Sequence, residues 1–290
     1  MDYVLHLASI IALYAAAAYA VNLVLGEAGI LPVCSGAFLG LGAYTAALWS
    51  ARYGSAFLIE IAVAGAIACV VSLAVSLPSL RLHDDYFVLA TFVFQVLFVR
   101  VVINLKTITN GALGIAGIPD AVVAGHAAHS AAARFALCAL ICAVSYFVTR
   151  RLATSPYGRV LRAIRSDELI AIAMGKDAVR FKVTAFAVCG VLLAVVGVTY
   201  AHFWTFVDPS SCGVQTAVFV VTIVIVGGSG GRIGPMLGTA IVLSIPEMLR
   251  FLTVPSESAP FVREIIISGL LLWVLTARPR GLAGVYVFGH

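Results

Sequence analysis

The stretch VTAFAVCGVLLAVVGVTYAH, residues 183–202, contains 20 consecutive residues without Asp, Glu, Lys or Arg. Because about 20 helical residues span a hydrocarbon core about 30 Å thick, this stretch predicts a transmembrane helix. The whole chain of 290 residues shares its character, with 62% hydrophobic residues, 11% charged residues and a mean hydropathy of +1.08. A soluble domain carries about 25% charged residues. The composition therefore excludes a water-soluble globule and leaves no room for a large soluble catalytic domain.

Other apolar runs, separated by Gly, Pro and charged residues, predict an all-α, polytopic transmembrane helical bundle. We expect a single transmembrane domain over residues 1–290, with about nine spans. The first run is too long for a secretion signal and has no basic segment before it, so we interpret it as a mature span. The predicted spans are 3–25, 30–49, 56–77, 86–103, 131–149, 183–202, 215–230, 233–252 and 262–277.

The segment 150–182 contains eight of the 18 Lys and Arg residues of the chain. Because basic residues collect in cytoplasmic loops, this segment is predicted to be cytoplasmic. Alternating the nine spans from it puts the N-terminus outside and the C-terminus in the cytoplasm. The basic charge, with a pI near 9.0, is thereby confined to one membrane face, which favours anionic lipid and a cytoplasmic partner over nucleic acid.

Two short helices are predicted within this cytoplasmic segment. Ser155 before Pro156 is a typical helix start, and Ser166 predicts a second start, with Asp167 and Glu168 in its first turn. Gly175 is placed to end the second helix. So short a helix is not stable alone in water, so it either lies on lipid headgroups or docks on a partner. A surface of small residues would suit a groove in such a partner: Ala171, Ala173 and Gly175.

Several motifs together resemble one protein family. The run GRVLRAIR at 158–165, followed by Asp167-Glu168 and by AMG at 173–175, is similar to the cytoplasmic loop of LivM-type permeases of ABC importers for branched-chain amino acids and related compounds. Five further segments resemble that family in the same order: GEAG at 26–29 with GLGAY at 40–44, TNG through GIAGIP at 109–119, YAH to DP at 200–209, GG to GP at 227–235, and RPRGL at 278–282.

This resemblance implies a transmembrane permease subunit in the bacterial inner membrane. It implies four kinds of partner: a second, LivH-type permease, two ABC ATPase subunits, a periplasmic or lipid-anchored solute-binding protein, and membrane lipid. The helix at 166–175 would be the coupling helix that contacts the ATPase. The residues implied in that contact are Gly158, Arg162, Asp167, Glu168, Ala173 and Gly175.

The sequence lacks the motifs of nucleotide binding and of zinc-dependent hydrolysis. The only Gly-Lys pair, Gly175-Lys176, is followed by Asp177 and lacks the upstream glycine of a phosphate-binding loop. HExxH is also missing from the sequence. We therefore expect a transport subunit without catalytic residues or a cofactor of its own, with ATP and magnesium held by the partner ATPases.

Glycines and prolines interrupt two of the predicted spans, the second span and the region 227–238. Interrupted helices, one in each half of a transporter, commonly line its substrate path. Close helix packing through small residues explains the second span as an alternative, and a tight cytoplasmic turn explains 227–235 equally well. The residues predicted to line the path are Gly29, Pro32, Cys34, Ser35, Thr91 and Gln95.

The second span also departs from the family pattern. Relatives read roughly GQxSxG after the second glycine, whereas Ile30, Pro32 and Cys34 stand here. Two polar side chains are thus lost. If these positions line the path, the substrate need not be leucine, isoleucine or valine, and apolar acids, aromatic acids and amides remain open.

Polar residues inside spans need a reason, because their burial in lipid is costly. Glu60 is expected at headgroup level near the outer end of its span. Gln95 is expected to hydrogen-bond a neighbouring helix, with substrate contact as the alternative. His126 and His129 have no third ligand nearby, and the cysteines fall mostly within apolar runs as core thiols, so no metal site is predicted.

The two longest outer loops, 104–130 and 203–214, are expected to meet the solute-binding protein. Aromatic anchors typically dominate such interfaces, although an aromatic belt at the lipid surface is an alternative for the same side chains. The residues predicted on this face are Thr109, Asn110, Trp204, Phe206 and Asp208. Two rival functions stay open at this point: a self-sufficient secondary transporter or channel, and a membrane enzyme.

Overall fold

The computed structural model describes residues 2–80, 84–123, 126–127, 130–251, 265–266, 268–269, 271–274, 276 and 281–284. Almost all of these residues are helical. The helices are α1 (Asp2–Asn22), α2 (Ser35–Tyr53), α3 (Phe57–Ser79), α4 (Asp84–Asn104), α5 (Lys106–Thr109), α6 (Ala131–Thr154), α7 (Pro156–Ser166), α8 (Glu168–Ala173), α9 (Ala178–Trp204), α10 (Val214–Gly227) and α11 (Gly234–Phe251).

Shorter elements complete the described chain. A π-helical turn, Leu23–Ala28, continues α1, and 3-10 turns cover Gly111–Leu113 and Ser210–Cys212. The strands are β1 (Ile115–Ala116), β2 (Val122–Val123), β3 (His126–Ala127) and β4 (Phe206–Val207). β1 pairs antiparallel with β4, and β2 pairs antiparallel with β3.

The prediction of a polytopic helical membrane protein is confirmed. Within the described residues, five helices are long and apolar enough to cross a membrane: Tyr3–Ala28, Phe57–Ser79, Tyr86–Asn104, Ala131–Thr154 and Ala178–Trp204. Shorter apolar helices cover Val214–Gly227 and Gly234–Ile245. The predicted second span, 30–49, begins later than expected, at Ser35. The predicted ninth span, 262–277, lies largely outside the described residues.

Helix α9 forms the centre of the bundle and packs against α2 and α3. Small residues permit the close approach of α2: a Cβ added at Gly197 would overlap the Leu39 carbonyl, and one at Gly42 would overlap the Ala194 carbonyl. In contrast, α3, α4 and α6 expose long apolar side chains, including Val70, Leu97 and Phe147. The interior is therefore packed through small residues, whereas the outer helices present an apolar surface suited to lipid.

The bundle has two distinct ends. We call the end formed by 155–178, 228–231 and 281–284 the basic end, and the end formed by 105–123 and 205–211 the loop end. Helix α1 runs from one end to the other. At the loop end His6 stacks on Phe203 with ring centroids 5.0 Å apart, and at the basic end the Asn22 side chain accepts from the Gly230 amide over 2.9 Å. Residue 282 lies at the opposite, basic end, where its backbone amide donates to the Val226 carbonyl oxygen over 3.1 Å.

Candidate translocation and coupling site

Two interruptions of helical structure meet inside the bundle. The first is 29–34, between the π-helical turn and α2, and the second is 205–213, between α9 and α10. The Ser35 hydroxyl donates to the Ala217 carbonyl oxygen over 3.3 Å. A Cβ added at Gly36 would lie 2.6 Å from the Gly213 carbonyl oxygen. Glycine at position 36 thus allows the start of α2 to touch the start of α10.

Gln95 joins the two interruptions. Its Oε1 accepts from the Ala37 backbone amide over 2.7 Å, and its Nε2 donates to the Cys212 carbonyl oxygen over 2.7 Å. At 1.5 Å per residue, Gln95 is about 16 Å along α4 from its first residue, Asp84. The contact therefore lies deep within the bundle. The expected hydrogen bonding of Gln95 to neighbouring elements agrees with this geometry.

The predicted path residues fall into two places. Pro32, Cys34, Ser35, Thr91 and Gln95 are all buried and belong to one packed region. Thr91 is held there by the Val33 backbone amide, which donates to its hydroxyl over 3.4 Å. Gly29 is separate, because it is exposed at the basic end beneath the side chain of Arg165. In this conformation the bundle is closed around the other five residues.

The second interruption lies elsewhere than the sequence suggested. The region 228–233 is a turn between α10 and α11 at the basic end, which agrees with the tight-turn alternative for 227–235. The backbone amides of 282 and 283 donate to Val226 and Gly227 there, over 3.1 and 2.9 Å. The segment 205–213 falls within the outer loop predicted at 203–214, and DPSSCG at 208–213 combines Pro, Ser and Gly in a way typical of turns. Its contact with the first interruption was not predicted.

The caps of α7 and α8 follow the sequence with one correction. The Ser155 hydroxyl caps α7 by accepting from the Gly158 amide over 3.4 Å. The prediction of Ser166 as the second cap is wrong, because Ser166 is the last residue of α7 and its hydroxyl donates back to the Arg162 carbonyl. Asp167 caps α8 instead, accepting from the Ile170 amide over 3.0 Å. Gly175 ends the turn after α8 with φ +77°.

Helix α8 presents apolar side chains outward. Leu169 is 80% exposed and Met174 76%, and two further large apolar residues are exposed beside them, Ile170 and Ile172. Ala171 is buried against Ile164 and Ala178. The exposed surface is thus formed mainly by large apolar side chains and not by the small residues that we expected. Ala173 and Gly175 remain exposed next to them.

Three of the predicted coupling residues are engaged within the chain. Glu168 forms an ion pair with the buried Lys182 at 2.8 Å. Arg162 is turned towards the core, where its guanidinium lies 2.7 Å from the Glu27 carboxylate. Gly158 packs so closely on the end of α6 that an added Cβ would overlap the Ala153 carbonyl. These residues position α7 and α8 on the bundle.

The two outer loops are brought together at the loop end by the pairing of β1 with β4. Trp204 and Phe206 are each 42% exposed there. Thr109 is buried and its hydroxyl donates to the Val102 carbonyl oxygen over 2.6 Å. Asn110 has φ +62°, and its amide nitrogen donates to the Gly114 carbonyl oxygen over 3.0 Å. Thr109 and Asn110 therefore shape the loop, while the two aromatic side chains form its surface.

Asp208 organises the turn that leads into the second interruption. Burial acts to raise the pKa of Asp208, but hydrogen bonds from the hydroxyls of Ser210 and Ser211 and from the Ser211 amide outweigh it. The pKa of this carboxyl is therefore held below its ordinary value. Its charged form accepts hydrogen bonds from the residues just before Cys212, so Asp208 has a structural role in addition to its place near the surface.

Glu60, in the first turn of α3, has its partners inside the protein. Glu60 is fully buried, and its carboxylate is hydrogen-bonded to the His202 ring and accepts from the Ala56 amide over 3.2 Å. The other ring nitrogen of His202 lies 2.8 Å from the Pro119 carbonyl oxygen. The pair ties α3, α9 and the outer loop together, which gives this buried carboxylate its partners.

A protein-family model matches most of the sequence of this chain. The family described as "Branched-chain amino acid transport system / permease component" matches residues 3–275. The chain belongs to this family. The prediction of a LivM-type permease is thereby confirmed, and family membership identifies a transport subunit rather than an enzyme.

Individual relatives of this permease are moderately similar. The high-affinity branched-chain amino acid transport system permease protein LivM of Escherichia coli K12 is 28% identical over 300 residues, covering 95% of this chain and 69% of the relative. LivM of Salmonella typhimurium is 28% identical over 90% of this chain and 65% of its own length. The chain thus spans about two thirds of these relatives. LivH of Escherichia coli K12 is 26% identical over 62% of this chain and 59% of its own length. No solved structure matches the chain.

Proposed function

We propose that this chain is the permease subunit of an ATP-driven ABC importer for branched-chain or other hydrophobic amino acids, or related small amides and organic acids. The exposed apolar face of α8 carries this proposal. A helix of six residues with Leu169, Ile170 and Ile172 turned to water gains little stability by itself. Exposed apolar patches typically mark contact surfaces. A protein partner that covers this face at the basic end would stabilise the short helix and bury its apolar side chains.

The partners follow from this role. Two ABC ATPase subunits would contact residues 158–175 and hold ATP and magnesium, while this chain itself binds no cofactor. A second, LivH-type permease would complete the membrane unit, and the similarity of this chain to LivH supports a pair of related subunits. The exposed apolar faces of α3, α4 and α6 offer surface for that subunit and for membrane lipid.

The proposed orientation puts the basic end in the cytoplasm of a bacterium and the loop end outside its inner membrane. The concentration of Lys and Arg in 150–182 supports this. With α1 running from the loop end, the N-terminus would be outside. A periplasmic or lipid-anchored solute-binding protein would dock at the loop end, on the surface that includes Trp204 and Phe206.

The contact of α8 with the ATPase gives a first prediction. Leu169→Ser and Met174→Ser should each weaken capture of the ATPase subunits about tenfold, because about 1.4 kcal/mol of apolar burial is lost for each. The measurement is the apparent Kd of the purified permease pair for the ATPases in detergent. Leu113→Ser is the matched control, since Leu113 is 77% exposed at the loop end. Equal affinity in all three variants would contradict this contact.

The loop end gives a second prediction. Trp204→Ala should weaken docking of the solute-binding protein at least tenfold, because a large anchor at an interface contributes about 2 kcal/mol or more. Docking is measured by surface-immobilised permease complex against the loaded binding protein. Phe147→Ala, on the exposed face of α6, serves as the control. Normal docking by Trp204→Ala would favour the aromatic-belt alternative.

The alternative function is a self-sufficient secondary transporter or channel. Ion-coupled transport uses ionisable groups inside spans, and the Glu60–His202 pair is the candidate among the described residues. Its hydrogen bonds to Ala56 and Pro119 instead support a structural tie. Reconstitution separates the two functions: uptake by this chain alone in vesicles favours the alternative, whereas uptake that requires ATPases, ATP and a binding protein favours the importer.

A further inference from the structure

The end of α1 is an unusual segment. Residues Leu23–Ala28 form a π-helical turn in which every residue is buried, and the turn closes at Gly29 with φ +74°. Single π turns within helices frequently mark functional sites. This turn leads directly into the first interruption, 29–34. Its position therefore determines how α1 enters the region where the predicted path residues lie.

Helix α7 holds this turn through two arginines. The Arg162 guanidinium pairs with the Glu27 carboxylate at 2.7 Å and also donates to the Ala153 carbonyl oxygen over 3.0 Å. The Arg165 guanidinium donates to the Gly26 carbonyl oxygen, and its side chain covers Gly29, where an added Cβ would lie 2.6 Å from the Arg165 Cγ. The contact is thus both ionic and steric.

The opposite side of the turn is held by the loop between α10 and α11. The Asn22 side chain accepts from the Gly230 amide over 2.9 Å and donates to the Gly231 carbonyl oxygen over 3.3 Å. A Cβ added at Gly26 would lie 2.5 Å from the Gly230 nitrogen. A small cavity of about 30 Å³ adjoins Glu27. The π-helical turn therefore lies between α7 and α10–α11, with a little free space beside it.

These contacts connect the elements around the π-helical turn in a ring. Helix α7 contacts Glu27, which precedes the interruption at 29–34. This interruption leads into α2, where Ser35 contacts the start of α10 through the Ala217 carbonyl. The loop at 228–231, which follows α10, contacts Asn22 just before the π-helical turn. These contacts therefore link α7, through the π-helical turn, to both interruptions.

We propose that Glu27 is the positioning residue through which movement of α7 reaches the substrate path, with Arg162 as its partner. This rests on the proposed function, because it requires an ATPase that moves α7 and α8. Glu27 is 6% exposed, so its carboxylate depends on the guanidinium for compensation of a buried charge. Loss of either charge leaves α7 on the bundle through its apolar contacts, but only Arg165 then still connects α7 to the π-helical turn.

The test uses the complete complex in proteoliposomes, with the branched-chain amino acid that the wild-type complex takes up fastest. The readout is the number of ATP molecules hydrolysed per solute transported. Glu27→Gln and Arg162→Gln should each raise this ratio at least tenfold, and the double variant should be no worse than either single one. Glu27→Asp, which keeps the charge, should recover part of the coupling. Arg180→Gln is the control, because Arg180 forms an exposed ion pair with Asp177 outside 158–175.

Each outcome decides between the proposals. A wild-type ratio in Glu27→Gln overturns this inference alone, whereas a wild-type complex without ATP-dependent uptake overturns the proposed function itself. If Glu27→Gln does not assemble, Arg162→Gln carries the test. Failure of both to assemble, with Arg180→Gln assembling normally, would show that the pair is only structural.

Discussion

At the scale of single residues, Gln95 combines two tasks that are usually separate. The first amides of a helix have no acceptor within the helix, and Cys34 provides no side-chain cap for α2. The Gln95 Oε1 fills this role by accepting from Ala37, while its Nε2 holds the Cys212 carbonyl. One side chain of α4 thus caps α2 and fixes the second interruption.

Replacing Gln95 tests this role. Gln95→Met keeps the volume but leaves a buried amide and a buried carbonyl without this partner, at about 1–3 kcal/mol each. We expect a clearly lowered melting temperature in detergent. Thr222→Val is the control, because the Thr222 hydroxyl bonds only within its own helix, to the Val218 carbonyl. An unchanged melting temperature together with altered substrate ranking would favour direct contact of Gln95 with substrate.

Single residues also show the limit of sequence reasoning. A polar side chain deep in a span must find a partner, so the hydrogen bonding of Gln95 was predictable while its partner Cys212, far along the chain, was not. The same limit applies to Glu60, which lies near the start of α3 and is fully buried within the protein. Its partner His202 is 142 residues away, and no local pattern connects the two.

At the scale of elements, α2 depends on glycine where it meets α10. An added Cβ at Gly36 would lie 2.6 Å from the Gly213 carbonyl oxygen, whereas one at Gly65 in α3 would meet only Val191 at an ordinary 3.6 Å. Gly36→Ala should therefore destabilise the chain by about 1–3 kcal/mol through overpacking. Gly65→Ala should be neutral or up to about 1 kcal/mol stabilising. Thermal unfolding in detergent measures both, and equal effects would contradict the close contact.

Helices were predictable where apolar runs are long and uninterrupted, because burial of backbone groups in lipid requires them. Helix α9 and the caps at Ser155 and Gly175 follow from such local signals. The interruption at 205–213 was read as an ordinary outer loop, since nothing local shows that Cys212 and Gly213 pack against Gly36 and Gly40. Its depth in the bundle is determined by contacts between residues far apart in the sequence.

At the scale of the whole molecule, the predicted path residues other than Gly29 are closed to solvent. Cys34 and Cys189 are both buried, 1% exposed each, but the segments that carry them differ. Cys34 lies at the first interruption, next to the contact with α10, whereas Cys189 lies inside the regular helix α9. If the interruptions open during transport, only the first of these thiols should become accessible.

This difference gives the last prediction. Two variants, each keeping only Cys34 or only Cys189, are reacted with a small membrane-permeant maleimide in proteoliposomes containing the complete complex. A thiol reacts only when it can ionise and the reagent can reach it, so both should react slowly at rest. During ATP-driven uptake, Cys34 should react at least tenfold faster, because alternating access exposes the interruption at 29–34, while Cys189 should stay slow. If Cys34 stays as slow as Cys189 during measured turnover, the glycines and proline around it serve packing, and the path lies elsewhere.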